Sequence, residues 1–509
     1  MTMFRIEGMR GYLVSSIGVT CAAALTLPLA PTAATAAASP SQTVSTTARG
    51  AASGAVPDST APGAVPGSTQ SLALAPLSRT RAGAGAGVQG LTRREVRPFS
   101  LLGVVWDDPR AALHGTVQVR TRATGTHQWS DWQEVETHND DHAADPGTAE
   151  SRSGRVRGAT APLWVGDSDG VEVRVRPAQP GEAGTDGRTA AGGSADATDP
   201  DPTAWELPGG LRLELVDPGE PPATDTGTGT GTGTGTRTDA APAPVPALGP
   251  VSADRPPVLD ARTAETAAAN AELAAPEATV IPALSKEETE AAYAAGLPDS
   301  ADGTRAKPYI GPRPSITTRR GWGADEGIRK GGFTYTKKVK AAFVHHTATG
   351  NNYTCAQAPS VIRGIYRYHV LSNGWRDIGY NFLVDKCGKI YEGRAGGVAK
   401  PVMGAHTLGF NTDSTGIAVL GTYSSKKPSA AAVKAIARLT AWKLGLYGVN
   451  PKGKTYLTSG GGNLYAKGRK VRLHTISGHR DGFATSCPGK RLYAKLGSAR
   501  STSAGYQGR

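Results

Sequence analysis

The chain has 509 residues, more than a single hydrophobic core usually contains, so two or three domains are expected. Its net charge of +13 is unevenly divided, because residues 307–509 contain 33 Lys and Arg against 7 Asp and Glu. That part alone has a net charge of +26, and the preceding part has −13. Beyond an apolar run at the N-terminus, no stretch is apolar enough to span a bilayer, which excludes a multispanning membrane protein.

The N-terminus has the three parts of an export signal. Arg5 and Arg10 precede an apolar run at residues 12–29, and an Ala-x-Ala cleavage site follows at 34–36. We therefore predict a signal peptide over residues 1–36 and a secreted, extracellular protein that associates with the cell wall. The alternative is an uncleaved anchor, because the apolar run approaches the length that spans a bilayer.

Residues 37–94 are rich in Ala, Pro, Ser, Thr and Gly, and we predict that they are disordered. A small all-β module is predicted over residues 95–217, where four short runs alternate apolar and polar residues. The runs lie at 101–106, 116–122, 171–176 and 211–216. We expect a β-sandwich with a tryptophan-rich core, and the alternative is an exposed aromatic platform for sugar. The module contains five of the eight tryptophans: Trp106, Trp129, Trp132, Trp164 and Trp205.

Residues 218–308 are predicted to be a disordered linker. They include a strict Gly-Thr repeat at 226–236 and a long stretch rich in Ala and Pro. One short helix is predicted inside the linker, from Ser285 to a stop at Gly296, because Ser-Lys-Glu-Glu has the spacing of a capping box.

The last segment, residues 309–500, alternates predicted strands and helices. The predicted strands lie at 339–345, 380–384 and 416–420, and the predicted helices lie at 358–370 and from 428 onward. This order indicates an α/β domain with a central mixed sheet flanked by helices.

The last segment also contains the residues most suited to chemistry. His345 ends a predicted buried strand, and His479 and Cys487 are eight residues apart. Catalytic zinc typically takes three such ligands and keeps a fourth position for water. Once the signal is removed three cysteines remain, which indicates one disulfide and one thiol with another task, and metal binding would protect that thiol. The alternative is a thiol protease with Cys487 as nucleophile and His479 as its base, for which the spacing gives no local signature.

Seven motifs, in order over about residues 315–495, resemble the peptidoglycan recognition protein family. This family is the animal and bacterial branch of the type-2 N-acetylmuramoyl-L-alanine amidases. The motifs are RGWGA (320–324), FVHHT (343–347), NGWRDIGYNF (373–382), YEGR (391–394), GAHTLGFN (404–411), GHRD (478–481) and TSCPG (485–489). One departure is that no Gly-Trp pair follows Gly393-Arg394, as it often does in relatives selective for diaminopimelate-type wall.

The resemblance implies a catalytic site with one Zn²⁺ ion. His345, His479 and Cys487 would bind the metal. Tyr380 would stabilise the oxyanion of the scissile amide, and the Thr485 hydroxyl would hydrogen-bond the same oxygen without supplying charge.

The resemblance also implies a substrate groove and a disulfide. His406 and Asn411 would contact glycan and stem peptide, and Arg394 would hold a peptide carboxylate through two parallel hydrogen bonds. Cys355 and Cys387 would form the disulfide, which closes a loop of about 30 residues and stabilises the fold by roughly 3–4 kcal/mol.

The function implied is hydrolysis of the amide between the lactyl group of N-acetylmuramic acid and L-alanine. We expect a monomer that binds peptidoglycan and anionic wall polymers through its basic domain, without nucleic acid and without stable membrane insertion. A non-catalytic peptidoglycan-binding protein of the same fold is the main rival. The positive charge is the only feature that supports a nucleic-acid binder, and a solvated basic surface explains that charge equally well. The sequence contains no recognised nucleic-acid-binding motif.

Overall fold

The computed structural model describes residues 67–77, 87–137, 141–178, 206–220, 259–296 and 308–509. All of these belong to one compact unit, Thr60–Arg509. The predicted signal peptide, residues 1–36, and the Gly-Thr repeat lie outside the described residues. Within those ranges, no helix combines the length and the apolar character that a membrane crossing needs.

The N-terminal module is an antiparallel sheet of eight strands. They are β1 (Ser68–Ala73), β2 (Ala75–Pro76), β3 (Gln89–Trp106), β4 (Gly115–Ala123), β5 (Gln133–Val135), β6 (Gly158–Ala159), β7 (Leu163–Pro177) and β8 (Arg212–Asp217). The order across the sheet is β1-β8-β3-β7-β4-β5, and β2 and β6 also pair with β3. The four predicted runs lie in β3, β4, β7 and β8, to within one residue.

The prediction that residues 37–94 lack structure is wrong where β1, β2 and the start of β3 lie. β1 is polar, and its order comes from its backbone, which pairs in register with β8 from Ser68–Asp217 to Ala73–Arg212. A strand held by backbone hydrogen bonds at a sheet edge needs little apolar mass of its own, so composition does not reveal it.

The tryptophans of this module fall into two groups. Trp106 and Trp164 are buried, as a tryptophan-rich core requires. Trp129 and Trp132 are half-buried under guanidinium groups, with Arg174 4.0 Å above the ring of Trp132. These arginines cover ring faces that would have to be free in an aromatic platform for sugar. Trp205 lies outside the described residues.

The C-terminal domain is α/β with a seven-stranded mixed sheet, as predicted. Its elements are α1 (Ala261–Ala268), β9 (Val280–Ile281), α2 (Lys286–Ala295), β10 (Ile316–Thr317), α3 (Arg319–Trp322), β11 (Ala341–His346), α4 (Ala358–Arg367), β12 (Phe382–Val384), β13 (Ile390–Glu392), β14 (Ser414–Val419), α5 (Ala430–Gly445), β15 (Lys454–Thr458), β16 (Lys470–His474), β17 (Ile476–Gly478), α6 (Lys490–Tyr493) and α7 (Leu496–Gln507). The strand order is β17-β11-β14-β12-β13-β10-β9, and β15 and β16 form a separate hairpin.

Strands β11 and β14 form the parallel centre of this sheet, and all their residues are buried. One face of the sheet packs against a cluster that includes α4, and the other packs against α5 and α7. Burial on both faces explains why neither strand alternates apolar and polar residues. The Ser429 side chain caps α5 by accepting a hydrogen bond from the N–H of Ala432.

The predicted linker is wrong for residues 259–296, which belong to the C-terminal domain. The helix predicted at Ser285 is confirmed as α2, with its capping box and its end at Gly296. β9 pairs with β10 and extends the sheet, and the Asn270 amide donates to the buried Glu392 carboxylate over 2.9 Å.

The β module and the C-terminal domain share one apolar core rather than being separated by a tether. Leu101, Val105 and Trp164 of the module cluster with Val361 and Ile365 of α4. The Tyr368 hydroxyl, in the π-helical turn that follows α4, donates to the backbone carbonyl of Thr160 over 3.1 Å. The position of the module relative to the C-terminal domain is therefore fixed by packing.

Gly103 makes this contact possible, and its substitution tests it. A Cβ atom at Gly103 would lie 2.3 Å from the Tyr368 hydroxyl oxygen, so we expect Gly103→Ala to force the surfaces apart. The expected loss is about 1–3 kcal/mol of unfolding free energy, the usual cost of overpacking. Urea unfolding measures it, with Gly209→Ala as control because a Cβ there meets nothing within 4 Å. Equal midpoints for the two variants would contradict the contact.

Candidate metal centre

Four metal-ligating side chains converge in the interior of the protein. One ligand atom from each of His142, His345, His479 and Cys487 lies within 4.8 Å of the others, and all four residues are buried. The Cys487 sulfur lies 3.8 Å from Nδ1 of His345 and 4.0 Å from Nε2 of His142. Three of these residues are the predicted metal ligands, and the structure brings them together.

Strand β11 positions the first predicted ligand. Side chains alternate along a strand, so His345 and His346 point to opposite sides. His346 is buried on the side away from the cluster and accepts a hydrogen bond from the backbone N–H of Tyr423 over 3.1 Å. His345 faces the cluster, at the end of the central parallel strand.

The neighbouring strand β17 positions the other two predicted ligands. His479 follows β17 directly, in a 3-10 turn whose Asp481 carboxylate accepts from the N–H of Gly478 over 2.8 Å. The backbone N–H of Arg480 donates to the carbonyl of Cys487 over 3.1 Å. The loop that holds the thiol is therefore hydrogen-bonded to the turn that holds the imidazole.

His406 orients the imidazole of His345. Nε2 of His345 lies 3.2 Å from Nδ1 of His406 and 3.4 Å from the Thr407 hydroxyl. The His345 tautomer protonated at Nε2 would donate to this pair and keep the lone pair of Nδ1 for the cluster, which is the usual support of a metal-bound histidine. His406 is fully buried behind His345, so the structure does not place it on the face of a groove, where the predicted contact with glycan would need it.

The electrostatics of the cluster suit a divalent cation. Burial lowers the pKa of His345 well below its ordinary value and that of His479 to about 3, with the neighbouring imidazoles reinforcing both shifts. Both rings are therefore neutral and can offer lone pairs. Burial raises the pKa of the Cys487 thiol well above its ordinary value, and a cation beside it would favour the thiolate.

The hydrogen bonding of His479 gives an independent test of the fit. Among the described residues, neither ring nitrogen of His479 has a hydrogen-bond partner, although both are buried. Buried polar atoms rarely remain unpaired, so a missing ligand is indicated at this point. Neutral imidazoles and a thiolate are donors that Zn²⁺ accepts, and the group fits such an ion.

Tyr380 and Thr485 lie beside the cluster. The ring centroid of Tyr380 is 5.6 Å from that of His345, and its backbone carbonyl accepts from the N–H of Arg394 over 2.8 Å. The Thr485 hydroxyl accepts from the N–H of Cys487 over 3.1 Å. Tyr380 therefore lies next to the cluster with its backbone carbonyl hydrogen-bonded, and the Thr485 hydroxyl is hydrogen-bonded to the backbone of Cys487.

The predicted substrate-binding residues Arg394 and Asn411 have partners from the β module. Arg394 forms two parallel hydrogen bonds of 2.9 Å with the Glu150 carboxylate. The amide of Asn411 donates to a carboxylate oxygen of Asp145 over 2.7 Å. The expected disulfide between Cys355 and Cys387 is present, and it joins the start of α4 to the turn after β12.

The family of the C-terminal domain follows from comparison with known proteins. Residues 335–490 match the N-acetylmuramoyl-L-alanine amidase family. Peptidoglycan-recognition protein SC2 of Drosophila simulans is 29% identical over 182 residues, which are 36% of this chain and 84% of the relative. Peptidoglycan-recognition protein SC1a of Drosophila melanogaster is 34% identical over 155 residues, which are 30% of this chain and 70% of the relative. The chain belongs to the peptidoglycan recognition protein and type-2 amidase family.

Among solved structures, wild-type Drosophila PGRP-LB is 25% identical, aligned over 36% of this chain and 92% of that chain, with a TM-score of 0.29. Residues 54–203 match the galactose-binding domain-like N-terminal domain of Rv3811. Membership of the recognition protein and amidase family supports a role in peptidoglycan recognition or amidase chemistry.

His142 is the site residue that sequence reasoning missed. It lies outside the part of the chain that matches the amidase family, in a polar acidic stretch with no strand or helix periodicity. The only local signal is the preceding Asp141, since a carboxylate beside a histidine often supports a metal ligand. That signal becomes specific only when the fold places it against Cys487.

We expect His406→Ala to weaken zinc binding by about 10–100-fold, the usual effect of losing the partner of a metal-bound histidine. His406→Gln offers an acceptor of similar size and should retain more affinity. Competition with a chromophoric chelator measures both variants. The control is His474→Ala, a partly exposed histidine at the end of β16. An affinity in His406→Ala equal to that of the control would show that His345 needs no such partner.

Proposed function

We propose that this protein is a secreted, zinc-dependent N-acetylmuramoyl-L-alanine amidase that hydrolyses the amide between the lactyl group and L-alanine in peptidoglycan. The observation that carries the proposal is the convergence of His345, His479 and Cys487 beside Tyr380 in an amidase-family domain. When bound by these ligands, Zn²⁺ supplies an acidified water and a Lewis acid for the scissile carbonyl.

Tyr380 would act as an oxyanion donor. Burial raises the pKa of its phenol well above the ordinary value, so the hydroxyl keeps its proton at neutral pH. A neutral O–H held beside the cluster can donate to the oxygen on which charge develops as the amide is attacked. The N–H of Arg394 fixes the Tyr380 backbone, which limits the movement of the ring. Thr485 can add a second donor without adding charge.

Arg394 and Asn411 would position the stem peptide. Arg394 already engages a carboxylate through two parallel hydrogen bonds, which is the geometry that a peptide carboxylate would use. The net charge of +26 in residues 307–509 would attract the anionic polymers of a wall. The Cys355–Cys387 disulfide suits an oxidising compartment and supports export by the predicted signal at residues 1–36.

The alternative is a non-catalytic recognition protein of the same fold. The complete set of three ligands, with Tyr380 beside them, favours the enzyme. Release of N-terminal alanine from purified peptidoglycan distinguishes the two functions. Because His142 lies in the site, the assay is run on the intact chain and on His142→Ala. Failure of both to release alanine would contradict the amidase proposal.

We expect Cys487→Ser to lose bound zinc and amidase activity together, because the soft thiolate is replaced by a weakly acidic hydroxyl. Metal analysis and the alanine-release assay measure the two effects. Ser486→Ala is the matched control, since Ser486 is exposed and adjacent. If the intact chain kept its activity in the presence of a chelator, as a thiol protease would, zinc would have no part in the mechanism.

We expect Tyr380→Phe to retain zinc and to release alanine about 100–1,000-fold more slowly, the range for the loss of one oxyanion donor. The turnover rate should fall more than the affinity for substrate. Tyr456→Phe is the control, because this tyrosine is 60% exposed on β15. An unchanged turnover rate in Tyr380→Phe would assign the oxyanion to other groups.

A further inference from the structure

The inserted segment, defined as residues 141–157, joins the region of β5 to β6 and runs across the candidate site of the C-terminal domain. Its side chain at His142 completes the cluster of metal ligands. The His142 ring lies 4.5 Å from that of His479 and 5.2 Å from that of His345, between ring centroids. It is 5.6 Å from the ring of Tyr380, so it stands where a substrate would meet the catalytic groups.

Asp141 supports this histidine as a metal ligand. One oxygen of the Asp141 carboxylate lies 2.7 Å from Nδ1 of His142, which leaves Nε2 directed at Cys487. The other oxygen lies 3.6 Å from Nδ1 of His479. The buried carboxylate therefore orients the His142 imidazole through a hydrogen bond, the pattern of carboxylate, histidine and metal seen in stable sites, and it places negative charge beside His479.

The inserted segment also engages the predicted substrate-binding residues. Glu150 is buried and pairs with Arg394, as a carboxylate of the stem peptide would. Burial alone would raise the pKa of Glu150, but Arg394 and the N–H of Arg376 outweigh it, so the pKa is lowered and the group is charged.

The inserted segment binds the Asn411 side chain through both a backbone carbonyl and a carboxylate. Its amide donates to the Ala143 carbonyl over 2.8 Å and to Asp145 over 2.7 Å. Asp145 also accepts from the N–H of Gly409 over 2.8 Å, and the N–H of Leu408 donates to the Asp141 carbonyl over 3.0 Å. The segment thus satisfies polar groups of the C-terminal domain that an incoming peptide would otherwise contact.

We propose that the inserted segment is an intramolecular inhibitor, in which His142 is the fourth zinc ligand and Glu150 and Asp145 occupy the positions of substrate polar groups. The proposal rests on the proposed amidase function for its biological meaning, but the ligand assignment stands on geometry. Structural zinc sites are closed by four protein ligands, whereas catalytic sites keep one position for water. With His142 bound the site is closed, and withdrawal of the segment opens it.

The shared core makes the inhibition effective. Leu101, Val105 and Trp164 hold the β module against α4, so the segment faces the site at a high effective concentration. Only molecules in which the inserted segment has moved away from the site can bind substrate. The apparent affinity for substrate is the intrinsic affinity multiplied by the fraction of such molecules.

Cobalt substitution tests the fourth ligand without an activity assay. The zinc of the intact chain and of His142→Ala is replaced by Co²⁺, and the visible absorption is recorded with and without azide. We expect azide to leave the absorption spectrum of the intact chain unchanged, because a closed site has no free coordination position for it. In His142→Ala the spectrum should shift with azide and with pH, because a water occupies the vacated position.

The control for this experiment is His127→Ala, an exposed histidine of the same module, whose cobalt spectrum should match that of the intact chain. A cobalt spectrum of the intact chain that responds to azide as fully as that of His142→Ala would overturn the proposal. If His142→Ala does not fold, Asp141→Asn offers a milder loss of the same ligand, with a partial response to azide expected.

Amidase kinetics test the inhibition. We expect His142→Ala to release alanine at least about tenfold faster than the intact chain. Glu150→Gln should keep the closed cobalt spectrum but lower the substrate concentration needed for half-maximal rate, because Arg394 loses its internal competitor. Equal rates in the intact chain and in His142→Ala would overturn inhibition. If only His142→Ala responded to azide and no variant released alanine, His142 would remain assigned as the fourth metal ligand, but the proposed amidase function would be contradicted.

Discussion

The burial of three imidazoles and a thiol around one point is the constraint on which this structure depends. Such groups are buried away from water, and among the described residues neither ring nitrogen of His479 has a hydrogen-bond partner. A divalent cation would satisfy all four at once, and its positive charge would offset the unfavourable burial of a thiolate. The rest of the site, from the support of His345 by His406 to the carboxylate of Asp141, serves to aim lone pairs at that position.

The two halves of the chain are complementary in charge as well as in shape. The acidic N-terminal part contributes the carboxylates of Asp141, Asp145 and Glu150, and the basic C-terminal part contributes Arg394 and a set of backbone N–H groups. A buried pair such as Glu150 and Arg394 adds little net stability, since desolvation opposes attraction. It does fix which surfaces meet, because either charge left alone would be costly. The opposite net charges of the two parts, which composition alone reveals, thus have a structural counterpart at the site.

Much of the C-terminal domain could be predicted from the sequence. Strand β11 contains an apolar run at residues 341–344, and α5 begins at a serine cap, so local patterns predict both elements. The candidate metal ligands could be predicted only through motifs, because 142 residues separate His345 from Cys487. The role of His142 could not be predicted, since it lies 345 residues from Cys487 in a loop without periodicity. β1 was missed for a related reason, because a polar edge strand depends on its partner β8 and not on its own composition.

The edge of the C-terminal sheet has a practical consequence for anyone who shortens this protein. The match to the amidase family model covers residues 335–490, yet Ile281 of β9 lies in the same core as Ile316 and Ile390. A chain that begins at residue 309 would lack β9 and leave the backbone N–H and C=O groups of β10 unpaired at the sheet edge. Unpaired edge strands favour intermolecular pairing and aggregation. It would also remove Asn270 from the buried Glu392, whose pKa burial already raises to about 7. A fragment that keeps β10 paired therefore starts upstream of β9, well before the residues that match the amidase family model.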